Sequence, residues 1–128
     1  MTTRVQPVAA ILSEDIRHEE GNTFSIMGVC TPVLQCREFP AAKRIAVSLV
    51  ISGNSVGDAE LEISLLWKDE VKWAVEMEIE IDAVGTGSVV PVGETYAYFD
   101  EPGSLKLQVQ TEGSTYDVQV WDVQEFPS

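Results

Sequence analysis

Nucleophilic catalysis needs a hydroxyl or thiol with a base in reach, and this chain offers a single imidazole, His18, and two thiols, Cys30 and Cys36. One histidine makes a triad improbable. Neither cysteine sits in a nucleophile motif. Tetrahedral zinc wants four Cys or His ligands, and those three residues fall short. Gly85-Thr86-Gly87 resembles half of a dinucleotide loop, but Val90 stands where the third glycine belongs, so the segment reads as a plain bend. Carboxylates abound, yet a glycosidase-like pair needs a cleft holding one acid in an apolar pocket. The Asp-x-Asp-x-Asn-Gly pattern of a calcium loop is absent. The expectation is therefore no catalytic, cofactor or metal site, and no enzyme.

The chemistry that remains is charge. The 128 residues carry 8 Lys and Arg against 21 Asp and Glu, a formal charge of −13. Nucleic-acid and anionic-membrane binding both need surplus cations, so neither class of partner is expected. Val8–Leu12 is too short to span a bilayer or to serve as a signal peptide, and the expected compartment is the cytoplasm. Pro32 bends the chain between Cys30 and Cys36, so a disulfide is sterically possible, but a cytosolic setting favours free thiols. A chain of this length buries roughly two-thirds of its unfolded surface and needs no staple. It is read as a single domain, residues 1–128, with frayed ends at Met1–Val5 and Phe126–Ser128.

The elements that position these groups are strands. Val, Ile and Thr make up 33 residues, and apolar side chains alternate through Ile45–Ile51, Leu61–Trp67 and Val71–Ile81. Turn residues recur at Gly21-Asn22, Pro40, Gly53-Asn54, Lys68-Asp69-Glu70, Gly85–Gly87, Pro102-Gly103 and Gly113-Ser114. This spacing predicts an all-β, antiparallel two-sheet sandwich, immunoglobulin-like, with seven to eight strands. Ala41–Lys43 has the composition of a helical turn, and Ala83–Gly93 is the least readable segment. Trp67 and Trp73 fall on the buried face by parity, whereas Trp121 shares a face with Asp117, Gln119 and Val123, and either packs across the sandwich end or lies exposed at an interface.

If the strands around Lys68-Asp69-Glu70 form a hairpin, Leu61 and Leu65 must lie on the same side as Trp73 and Met77. A three-residue loop then sets Trp67 opposite Val71, Glu62 opposite Glu76, Glu60 opposite Glu78, and Asp58 opposite Glu80. A five-residue loop keeps that register. Three like-charge pairs stack on one face, each unfavourable by a few tenths of a kcal/mol or about that. This candidate interaction face has three readings. It is a solvated face that deters edge pairing, or it is compensated by Lys43, Arg44 or Lys106, or it meets a basic partner, a cation or a groove made for nucleic acid.

Gly21-Asn22 signals a two-residue hairpin between Ile11–Glu20 and Thr23–Val33. That register sets Ile16 opposite Met27, Arg17 opposite Ile26 and Asp15 opposite Gly28, with Asp15 and Arg17 side by side as a candidate structural ion pair or, alternatively, Arg17 free for an anionic ligand. The run Ile11-Leu12, Glu14-Asp15-Ile16-Arg17, Glu19, Gly21 and Phe24-Ser25-Ile26-Met27-Gly28-Val29 resembles the opening of a family of small bacterial and phage proteins of unknown function. Phe39-Pro40 before Lys43-Arg44, and Phe99 to Pro102-Gly103, are similar too. The resemblance implies a β-sandwich with no assigned activity.

The leading expectation is a non-catalytic module acting through its surface, as a protein-protein interaction or structural accessory module, with a homodimer through an edge strand as one form of association. A DNA-mimic inhibitor using the acidic face is the alternative, and a small-ligand carrier or enzyme the second alternative.

Overall fold

The computed structural model describes residues 5–21, 23–85 and 87–125. Its ten strands are β1 (Val5–Ser13), β2 (Asp15–His18), β3 (Phe24–Met27), β4 (Val33–Cys36), β5 (Ala41–Gly53), β6 (Gly57–Trp67), β7 (Glu70–Ile81), β8 (Gly87–Phe99), β9 (Gly103–Thr111) and β10 (Ser114–Glu125). No helix occurs among the described residues. The strands form three sheets, ordered β1-β5-β8, β4-β10-β9-β6-β7 and β2-β3. All pairings are antiparallel except β10 with β4, which is parallel.

Alternation decides what each strand buries. On β6 the odd residues Ala59, Leu61, Ile63, Leu65 and Trp67 are buried while Asp58, Glu60 and Glu62 are exposed. Ile45, Val47, Leu49 and Ile51 on β5 join Leu105, Leu107 and Val109 on β9 in one hydrophobic cluster that draws on both larger sheets. Each such Leu, Ile or Val contributes about 1.5–3 kcal/mol, and a one-residue slip of a strand would expose its whole set. Trp67 meets Phe99 edge-on, with ring centroids 4.9 Å apart. Gly103 is the close approach that admits this packing, because a Cβ there would lie 2.7 Å from the Trp67 ring.

Ten strands replace the seven to eight expected, chiefly because the amino-terminal segment is broken. The long pair Ile11–Glu20 and Thr23–Val33 divides at Glu14 and at Gly28, whose φ is +68°. The β2-β3 register also differs by one residue. Asp15 pairs with Met27, Ile16 with Ile26, Arg17 with Ser25 and His18 with Phe24. The chain turns over a longer loop than two residues, closed by the Glu19 amide donating to the Thr23 carbonyl at 2.9 Å. Asn22 itself lies outside the described residues.

Three further expectations change. Ala41–Lys43 is strand, because Ala41, Ala42 and Lys43 pair with Phe99, Tyr98 and Ala97 and tertiary pairing overrides local helix preference. Val5 is fully buried and pairs with Gly53, so it is not frayed, while Met1–Arg4 and Phe126–Ser128 lie outside the described residues. The unreadable segment holds the start of β8 at Gly87, and the bend before it is anchored by the Gly85 amide on the Gly53 carbonyl at 2.9 Å. Thr86 lies outside the described residues.

Candidate functional site

The β6-β7 hairpin carries the acidic face. Its pairs are Asp58 with Glu80, Glu60 with Glu78 and Glu62 with Glu76. The turn that produces them is shorter than the expected three or five residues. Lys68 and Asp69 both adopt positive φ, +50° and +64°, the signature of a two-residue hairpin turn whose twist matches that of the strands. Trp67 therefore pairs with Glu70 and Leu66 with Val71, and a bulge between Leu65 and Leu66 restores Leu65 opposite Trp73. The bulge corrects the parity that the short turn would have broken, so the apolar set stays inside.

Among the described residues none of the cations considered as compensation pairs with these carboxylates. Lys106 lies 3.6 Å from Asp69 and 4.0 Å from Asp117, and Arg44 pairs with Asp15 and Glu94. Among the described residues no ion pair involves Asp58, Glu60, Glu62, Glu76, Glu78 or Glu80. The six carboxylates stand as two uncompensated rows.

The hollow beside them has no local signal in the sequence. Pairing of β6 with β9 ends at Glu62 and Gln110, and beyond it only a side chain bridges the strands, as Thr111 Oγ1 donates to the Glu60 carbonyl at 2.9 Å. The β9-β10 turn, Glu112-Gly113, also has positive φ at both positions, +49° and +79°. An open groove of about 670 Å³ results, lined by Glu60, Glu62, Glu76, Glu78 and Glu112 with Gln110, Thr111, Ser114 and Thr115. Five glutamates and several neutral polar groups line it together with Leu61 and Met77. Such a surface can accept cationic side chains and hydrogen-bond donors. Glu112 was missed because β9 reaches β6 only through a pairing some forty positions away in sequence.

A second charged cluster sits where β2 meets the three-stranded sheet. Asp15 lies 3.8 Å from Arg17, and Arg44 Nη2 donates to Asp15 at 3.2 Å and also to Glu94. Glu94 accepts in turn from the Ile16 amide at 3.2 Å. The Arg44 hydrogen bond, then the Ile16 amide, hold the Glu94 carboxyl below its ordinary range, and Glu94 raises Arg44. These groups clip the β2-β3 hairpin onto β5 and β8. Gly28, expected opposite Asp15, faces Glu14 instead, since a Cβ at Gly28 would lie 2.9 Å from Glu14 Cγ. The altered register is the cause.

The remaining sequence candidates disperse. His18 is exposed at the end of β2. Cys30 and Cys36 are free, and burial pushes the Cys30 thiol up, with Lys43 opposing and Glu14 reinforcing the shift. Trp67 is buried and Trp73 half-buried. Trp121 is 2% exposed and buried with Val123, and a bulge between Asp117 and Gln119 reverses the parity of β10 so that Trp121 no longer shares a face with Asp117. Among the described residues no helix is long and apolar enough to cross a membrane. No protein-family model matches the chain, and no curated protein matches it.

Proposed function

We propose that this chain is a non-catalytic acidic module of the cytoplasm, bacterial or phage in kind, that binds the basic surface of a protein partner through the β6-β7 face. The observation that carries this reading is the pair of uncompensated carboxylate rows bordering an open groove. A face selected for solubility alone gains most from interspersed signs of charge, whereas directly opposed like charges destabilise the sheet. Proteins retain such local costs where binding depends on them.

The scaffold reading is an immunoglobulin-like sandwich. Its support is the division into β1-β5-β8 and β4-β10-β9-β6-β7 around a shared core, with β4 running parallel to β10 at one edge. The free thiols of Cys30 and Cys36 accord with a reducing compartment.

The test is capture from lysate with the wild-type chain and with a Glu76→Gln, Glu78→Gln, Glu80→Gln variant, at low and high ionic strength. Partners retained by the wild type at low salt, and lost both at high salt and by the variant, support the proposal. Partners held equally by both chains end it. The two rows also favour a second reading, a DNA mimic, since neighbouring carboxylates along each row repeat at about 6.6–6.8 Å like charges on a backbone. Displacement of captured partner by duplex DNA distinguishes it. Self-association through an edge strand, the other form of partnership, is read by light scattering on the purified chain.

A further inference from the structure

We infer that the free edge of β7 receives an extended peptide segment in which basic and apolar side chains alternate, docking as an added strand; this rests on the acidic-face reading above and specifies how the partner binds. Among the described residues β7 is the last strand of its sheet and pairs only with β6. Every second residue of an edge strand turns its amide and carbonyl outward, a template for a further strand.

Natural edges carry devices that block such pairing. On β8, a terminal strand of the three-stranded sheet, these are Pro91 and an adjacent bulge. From Trp73 to Ile81, β7 has no proline and no register shift. Its one device is the row Glu76, Glu78 and Glu80. That row repels a second copy of a chain with net charge −13, and it attracts a strand bearing Lys or Arg.

The two faces of β7 specify the two faces of the guest. Side chains of an added strand alternate as those of β7 do, so one set lies beside the glutamate row and the other beside Trp73, Val75, Met77 and Ile79. The latter four are half-buried, and Trp73, Met77 and Ile79 pack against the core. Near their carboxyl end a cavity of about 240 Å³ opens between β7 and β8, lined by Ile51, Ile79, Ile81 and Val90 together with Glu80 and Asp82. Apolar side chains of the guest cover this stripe while its cations meet the carboxylates.

The experiment is a fluorescence-anisotropy titration of the full chain with a capped peptide alternating lysine and valine, against a peptide of identical composition with the lysines in one block. The alternating peptide binds at least about tenfold more tightly. Two further peptides carry N-methyl groups on every lysine or on every valine. In a strand all residues of one parity turn their amides to the same side, so one methylated peptide loses binding and the other keeps it within about threefold. Equal binding by both methylated peptides, or by block and alternating peptides, overturns edge docking. If block and alternating peptides bind alike and the Glu76→Gln, Glu78→Gln, Glu80→Gln variant loses both, edge docking fails and the acidic-face reading stands. If that variant binds the alternating peptide as tightly as wild type, the acidic-face reading fails with it.

Discussion

Neutralising one row of the acidic face, by Glu76→Gln, Glu78→Gln and Glu80→Gln, is expected to stabilise the fold. Each of these residues stands opposite a carboxylate on β6, and no cation intervenes among the described residues. Two unit charges about 5 Å apart repel by about 0.8 kcal/mol in water before screening. Salt and outward splaying of exposed side chains reduce that to about 0.3 kcal/mol per pair. Three pairs then give about 1 kcal/mol, which raises the Tm of a domain of this size by about 4 °C. Glutamine keeps the shape and the β-strand hydrogen bonds, so charge is the only large change. Differential scanning calorimetry at low salt measures the rise, and repeating it near 1 M salt, where the Debye length is about 3 Å, should shrink the difference. A fall in Tm, or a gain indifferent to salt, would refute the argument that these pairs are uncompensated.

Other perturbations probe the remaining parts of the account. Trp67→Ala removes a buried ring packed on Phe99 and should lower stability by about 3–5 kcal/mol in urea denaturation. Gly28→Ala places a Cβ against Glu14 at a φ of +68° and is expected to cost about 1–2 kcal/mol, read by the same assay. Ser48→Ala deletes a buried hydroxyl without a hydrogen-bond partner among the described residues, so thermal unfolding should be unchanged or shifted upward. Because Glu94 is held below its ordinary range, its folded-state value lies under its unfolded one; the clip on β2 is complete above the unfolded value and is lost as pH falls through the lowered one. An NMR titration of the Ile16 amide follows that loss, and Arg44→Gln should move the midpoint upward toward the usual glutamate range.

How much of this was legible in the chain depended on how local the controlling contact is. The pairs Asp58–Glu80, Glu60–Glu78 and Glu62–Glu76 follow from parity, because burying Leu61, Ile63 and Leu65 leaves few registers for a short hairpin. Parity succeeded there even though the turn was misjudged, since the bulge beside Leu66 absorbs the missing residue. It failed for Trp121, where the bulge near Val118 has no glycine or proline to announce it. It failed again at the first hairpin, where Gly21-Asn22 suggested a tight turn and the chain closes instead between Glu19 and Thr23. Arg44 joining Asp15 to Glu94, and Glu112 joining the acidic groove, both depend on strands far apart in sequence. Alternation within one strand says which face a residue takes and nothing of which strand lies next to it.

We propose that the outer face of β6-β7 binds cationic groups and is retained despite its cost to the sheet. The most direct measurement is the salt dependence of affinity for a purified captured partner, by isothermal titration calorimetry, with the wild-type chain and the triple glutamine variant. The account predicts wild-type affinity that falls steeply with ionic strength, and a variant that binds more weakly with a shallower slope while unfolding at a higher temperature. A variant with the same affinity and the same slope would contradict it.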